Sequence, residues 1–176
     1  CQVIGVPHYV QNFEREFQKH VVDYFCAEYD MGRTPHPCLA CNDKIKFDFL
    51  LRKAMFLDAD YIATGHYAQI QSNGMGHKLL KGNDRKKDQS YVLWGIPKET
   101  LSKTILPLGE LTKEQVRQIA RDNNLETADE PESMEICFIA DNNYKRFIKE
   151  YAPKRTNSIH NGRTLNEEGE KIGENE

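Results

Sequence analysis

No stretch of this 176-residue sequence approaches the roughly 20 consecutive apolar residues of a bilayer-crossing helix, so no membrane role is expected. The first residues, Cys1-Gln2-Val3-Ile4-Gly5-Val6, lack the basic region and cleavage site of a secretory signal. They also lack an initiating methionine and open directly in apolar sequence, which gives the expectation of a chain cut at its front. No internal repeat or low-complexity tract is present. Excess charge of one sign is missing too: the formal net charge is −3, a weak argument against nucleic acid, because binding follows the local field rather than the sum. Five cysteines is an odd number, and only two lie close together. Without a secretory signal a disulfide framework is not expected, which leaves metal or thiol chemistry in the cytoplasm or an equivalent reducing compartment. A zinc site would want a second CxxC or a histidine pair, and neither is there.

What is present is ordinary globular material, 39% hydrophobic and 29% charged. A chain of this length buries roughly 70% of its unfolded surface. Residues 2–10 have the pattern of a short strand interrupted by Gly5 and Pro7. Phe13, Phe17, Val21, Phe25 and Tyr29 then recur every fourth residue, predicting a helix closed by Gly32. Pro35 and Pro37 stiffen a loop, and a second helix is expected from about Asp43, with Ile45, Phe49, Leu50, Ala54 and Leu57 inward. A strand is predicted at 60–64, a hairpin around Asn73-Gly74-Met75-Gly76, and a helix opened by the capping box Thr112-Lys113-Glu114-Gln115, with Val116, Ile119 and Ala120 inside. Residues 125–135 are expected to form an acidic loop, and Ile136–Ile139 a strand. Asp141 is then expected to cap a last helix carrying Tyr144, Phe147, Ile148 and Tyr151. Beyond Pro153 the composition becomes that of a linker or of a second domain's opening. Alternating strands and helices indicate an α/β fold with a mostly parallel sheet.

Several residues could carry chemistry. Cys38 and Cys41 stand between the proline loop and a helix start, where unpaired N–H groups lower a thiol's pKa and favour thiolate. Their spacing alone leaves metal or cluster ligation, thiol catalysis and chance open. Cys137, between Ile136 and Phe138, reads on its own as a small buried hydrophobe, as do Cys1 and Cys26. His66 follows Thr64-Gly65 at a strand end, where α/β proteins gather ligands, or is simply a capping or surface histidine. Lys87-Asp88-Gln89-Ser90-Tyr91 is either a helix cap or a polar grip on a ribose-phosphate chain. Two basic stretches, Lys78, Lys81, Arg85, Lys86, Lys87 and Lys145, Arg146, Lys149, Lys154, Arg155, fit phosphate contacts or plain solvated surface.

Taken together, GRTPHPCLACNDKIKF (32–47), DYIATGHYA (60–68), LLKGNDRKKDQSYVLWG (79–95), LPLGELTKEQVR (106–117) and ESMEICFI (132–139) resemble, in order and spacing, the tRNA-specific 2-thiouridylases. These belong to the adenine-nucleotide α-hydrolase-like, or PP-loop, ATPases. The resemblance implies a partial Rossmann-like PP-loop domain over residues 1–130 and the incomplete start of a small central tRNA-binding domain at 131–176. It implies a tRNA-uridine 2-sulfurtransferase: ATP with Mg2+ adenylates the 2-oxygen of the wobble uridine, and sulfur from a cysteine persulfide then replaces it. In that scheme Cys41 resembles the nucleophile and Cys137 the cysteine that receives sulfur, the two passing through a disulfide. Gly65 is similar to a nucleotide-contacting glycine. His66, the stretch His36, Pro37 and Cys38, and the triplet Lys87, Asp88 and Gln89 match tRNA-contacting positions. The implied partners are tRNA and a cysteine desulfurase or persulfide relay protein, with the enzyme a monomer.

The sequence departs from this family in three respects. It contains no SGGVDS-type ATP loop. It also stops at about Lys171-Ile172-Gly173-Glu174, short of the family's C-terminal β-barrel, so the piece by itself is expected to be silent. Some members carry Asp where Cys38 stands and Asn where His36 stands. A second reading follows from Cys38, in which Cys38, Cys41 and Cys137 hold a 4Fe–4S cluster with one open iron.

Overall fold

A computed structural model describes residues 1–74, 76–131, 136–153 and 162–175. Met75, residues 132–135 of the expected acidic loop, Lys154 and Arg155 lie outside them. The chain divides into two units, one of Cys1–Phe25 with Pro35–Glu132, the other of Cys26–Thr34 with Ser133–Glu176.

The opening strand expected at 2–10 is not formed. Residues 2–5 make a turn in which the Ile4 and Val6 N–H groups donate to the Cys1 carbonyl. Gly5 sits at φ +67°, a left-handed value that ends an extended run, and Pro7 has no N–H to offer a ladder. Val3, Ile4, Val6 and Val10 are exposed. Helix α1 (residues 14–30) follows as predicted, with an α segment Glu14–Phe17, a wider π segment Gln18–Val22 and an α segment Asp23–Asp30. Val21 and Phe25 of its stripe are buried, each such side chain contributing about 1.5–3 kcal/mol. Gly32, at φ +69°, ends it.

Helix α2 (37–56) starts six residues earlier than the sequence suggested. Pro37 is its first residue, where a missing N–H costs nothing, so the cysteine pair lies inside the helix rather than before it. After Pro37–Ala40 it widens into a π segment, Cys41–Leu50, before Leu51–Phe56. The i→i+5 pattern changes which side chains face inward. Asn42, Ile45 and Phe47 are buried, whereas Phe49 is half-buried and Leu57 is exposed.

Strand β1 (Ile62–Ala63) pairs in parallel with β4 (Thr104–Ile105), Ile62 opposite Thr104. Between them lie the antiparallel hairpin β2–β3 (Ala68–Ser72 and His77–Lys81), a 3-10 turn at Ser90–Leu93 and a short helix α3 (Lys98–Leu101). The core joins Phe47 of α2 to Ile62, Ala68, Leu93, Ile96 and Leu101. Two glycines let neighbouring backbone reach β2. A Cβ on Gly109 would stand 2.1 Å from the Ala68 carbonyl oxygen, and one on Gly82 would stand 2.6 Å from that of Tyr67. Helix α4 (Lys113–Asp122) has the full capping box: the Thr112 hydroxyl accepts from Gln115 N–H, and the Gln115 side chain accepts from Thr112 N–H. Its expected inner residue Ile119 is half exposed.

In the second unit, helix α5 (Tyr144–Tyr151) is capped by Asn143 rather than Asp141. The Asn143 oxygen accepts from Arg146 N–H at 2.9 Å, while Asp141 pairs with the Arg146 guanidinium at 2.7 Å. Phe147 stacks with Tyr151 and lies 5.4 Å from Phe138, centroid to centroid. Residues 137–138 form a turn, not the expected strand. A β5–β6 hairpin (Gly162–Leu165 and Lys171–Asn175) occupies the region expected to be a linker or the start of a domain.

Candidate active site

The proline-stiffened loop places the start of α2 against the 3-10 turn. Pro35 is buried, and the His36 ring meets Tyr91 edge-on at 6.0 Å. One turn into α2, Asn42 is 2% exposed and its amide donates to the Val92 carbonyl at 3.0 Å. Two buried polar atoms near this contact, His36 Nδ1 and Asn42 Oδ1, have no hydrogen-bond partner. Cys38 is exposed and Cys41 half-buried. Cys41 N–H bonds to the carbonyls of both Cys38 and Pro37. All five cysteines are thiols: no disulfide joins any two of them.

The end of β1 reaches the same region. His66 is buried, 7% exposed, with Nδ1 2.7 Å from the Thr64 hydroxyl and its ring 6.1 Å from that of Phe47 in α2. Burial, aided by the charge of Lys46, pushes its pKa down to about 4, so the ring is neutral at pH 7. It is not the surface histidine that was one of the plainer readings. Gly65 beside it is exposed, and a Cβ there would make only an ordinary 3.6 Å contact with Leu108. Among the described residues nothing demands glycine at this strand end.

The triplet Lys87, Asp88 and Gln89 leads into the turn that His36 and Asn42 touch. Asp88 and Gln89 are spent internally. The Asp88 carboxylate accepts from Gly82 N–H at 2.8 Å and from the Ser90 hydroxyl at 2.9 Å. Burial alone would raise its pKa, but these bonds and Lys81 outweigh it and hold the carboxyl below its usual range. Gln89 closes a reciprocal pair with Tyr67: its Oε1 accepts from Tyr67 N–H at 3.1 Å, and its own N–H donates to the Tyr67 carbonyl at 2.9 Å. In the neighbouring turn Asp84 accepts from Lys86 and Lys113 N–H groups. Lys78, Lys81, Arg85 and Lys86 are exposed.

His36, Pro37, Cys38, Cys41, His66, Lys87, Asp88 and Gln89 are therefore brought into one region of the first unit by four contacts: His36–Tyr91, Asn42–Val92, Phe47–His66 and Tyr67–Gln89. Cys137 belongs to the second unit and is exposed in its turn, not the buried hydrophobe its neighbours suggested. Cys26 is buried as expected, whereas Cys1, read the same way, is exposed. Among the described residues no group of three or more His, Cys, Asp or Glu side chains is gathered closely enough to hold a metal ion.

Sequence reasoning missed Asn42 and Trp94. An open cleft of about 530 Å³ lies on the side of α2 that carries Leu39, Ala40, Asp43 and Lys44, with His20 and Tyr24 opposite. Trp94, the only tryptophan, stands at it with 75% of its surface exposed. An aromatic just past the DQSY stretch was the available signal.

A parallel strand pair, a helix entered through a stiff loop, and a polar cluster at the strand's carboxyl end fit a partial α/β domain of the Rossmann type. The family described as "tRNA methyl transferase HUP domain" matches residues 1–141, and the chain belongs to that family. A tRNA-specific 2-thiouridylase MnmA of Carboxydothermus hydrogenoformans is 50% identical over 175 residues, covering 98% of this chain and 47% of the relative. Similar proteins of the same description from Herpetosiphon aurantiacus and Geobacter metallireducens are each 51% identical, over 88% and 85% of this chain. The chain spans less than half the length of these curated relatives. No described helix is long and apolar enough to cross a membrane.

Proposed function

We propose that this chain carries the thiol chemistry of a tRNA-uridine 2-sulfurtransferase. The supporting observation is that residues singled out by resemblance from three separate segments lie on α2 and on the elements packed against it in the first unit. In this reading Cys137 receives sulfur as a persulfide. Cys41 attacks the inner sulfur of that persulfide, releasing sulfide toward the activated uridine and forming a Cys41–Cys137 disulfide. Sulfur–sulfur bonds exchange by thiolate attack, so two thiols are the minimum for release and return.

The strand end at Gly65 suits a nucleotide, since its open Cα side lets a planar or phosphate group approach where ligands of α/β sheets gather. ATP, when bound, would supply the adenylyl group that makes the uridine 2-oxygen a leaving group. His66, neutral at pH 7, supports the strand end and α2 and supplies no positive charge to phosphate. Asp88 and Gln89 hold the turn in shape, while Lys87 with the exposed Lys78, Lys81, Arg85 and Lys86 provides phosphate contacts. The sulfur source is a cysteine desulfurase or persulfide relay protein.

The reading is tested by nucleoside analysis of tRNA incubated with ATP, a persulfide donor and a polypeptide of the relatives' full length carrying these residues. 2-Thiouridine should form, and should disappear in Cys41→Ser and in Cys137→Ser. Undiminished product in either variant overturns the role of that cysteine. Binding should weaken steeply with salt if the lysines meet phosphates.

A further inference from the structure

We infer that Cys38 is the resolving thiol for Cys41, a role that rests on the proposed sulfur-transfer reading. The observation is geometric. Cys38 and Cys41 occupy the first turns of α2, and Cys41 N–H donates to the Cys38 carbonyl as well as to that of Pro37. The i→i+3 bond is the tight pattern in which side chains three residues apart fall on the same side. Helical residues at this separation have Cβ atoms about 5–6 Å apart, and a disulfide needs about 3.5–4.5 Å. A small tightening at the end of a helix, where no long stretch of ladder has to yield, closes the gap. Exposure differs in the useful sense: Cys38 is exposed and Cys41 half-buried, so the outer thiol meets reductants while the inner one faces the reaction. Cys38 and Cys41 are both absent from the walls of the neighbouring cleft.

The exchange balances without any added oxidant. After sulfur release, the Cys38 thiolate attacks Cys41 Sγ of the Cys41–Cys137 disulfide. The Cys38–Cys41 bond forms, the Cys41–Cys137 bond breaks, and Cys137 departs as thiolate, ready to receive sulfur again. A dithiol reductant then returns Cys38 and Cys41 to thiols by two further exchanges, becoming a disulfide itself. The residue that replaces a carboxylate found in some relatives thereby acquires a function of its own, distinct from metal ligation.

Two measurements test it. In the first, this 176-residue chain with Cys137→Ser is treated with oxidised glutathione and mapped by peptide mass spectrometry. A glutathione adduct on Cys41 should be displaced within the molecule to give a Cys38–Cys41 disulfide, whereas Cys38→Ser added to it should keep the adduct. A lasting Cys41 adduct beside an intact Cys38 overturns the inference, whether or not the chain belongs to a thiouridylase. The second uses the full-length polypeptide with tRNA, ATP and a persulfide donor, and compares steady-state turnover with the amplitude of the first turnover. Cys38→Ser should lower that ratio roughly tenfold or more under limiting dithiol, with recovery in excess dithiothreitol. If Cys38 served only to contact tRNA, both quantities would fall together and the ratio would hold, which overturns the role. Absence of 2-thiouridine in the wild type would instead defeat the underlying reading, leaving the glutathione result to stand or fall separately.

Discussion

Replacing His66 by Gln should remove a specific acid sensitivity from the fold. In the folded protein the imidazole is neutral, its pKa pushed down to about 4 by burial and then by Lys46. Unfolded, it titrates near 6.5. Between those values the unfolded chain binds the extra proton, so stability rises with pH across that window and is lost as pH falls from about 6.5 toward 4. The 2.5-unit difference, at about 1.36 kcal/mol per unit, corresponds to up to about 3 kcal/mol at the acid end. Gln has a similar reach and cannot be protonated. Urea unfolding of both proteins at pH 7.5, 6, 5 and 4.5, followed by far-ultraviolet circular dichroism, isolates the effect. The difference between wild type and variant should shift by about 2–3 kcal/mol across the series, with wild type losing ground on acidification. An NMR titration of the His66 ring should place its midpoint below 5. A constant difference across pH, or a midpoint near 6.5, would refute the buried neutral assignment.

Asn42→Ala removes the side-chain donor to the carbonyl of buried Val92 and should cost about 1–3 kcal/mol in denaturant unfolding. Gly109→Ala drives a Cβ to within 2.1 Å of the Ala68 oxygen and should lose at least about 1–3 kcal/mol or fail to fold. Gly65→Ala, with 3.6 Å of room, should stay within about 0.5 kcal/mol of wild type. Asp88→Ala should cost about 1–2 kcal/mol through the lost Gly82 and Ser90 bonds. Its loss of tRNA binding in filter assays should follow that instability rather than a direct contact. Equal stability with weakened binding would reverse that assignment.

The elements with a strong local signal were legible before any coordinates. The every-fourth-residue stripe from Phe13 to Tyr29 and the Thr112 capping box depend on neighbours in sequence, and both formed as expected. The opening strand failed because a strand is only half an element: Val3 to Val10 have the composition, but the described residues give them no partner. The start of α2 was misplaced because two prolines look like a barrier, although the second is a favoured first residue of a helix. Its π segment then altered which residues point inward, and no simple 3.6-residue count anticipates that. At the site, single residues were nominated without their surroundings. That Asp88 and Gln89 face backbone donors, and that His66 is neutral, depend on Gly82, Tyr67 and Lys46, which only the folded chain brings near.

The central claim, that sulfur passes through Cys137 and is freed by Cys41, is most directly tested by following labelled sulfur. A full-length polypeptide carrying these residues is loaded with 35S persulfide, digested and mapped before and after addition of tRNA and ATP. The account predicts label on Cys137 that moves to tRNA in the wild type and remains trapped on Cys137 in Cys41→Ser. Label reaching tRNA from the Cys137→Ser protein would contradict it.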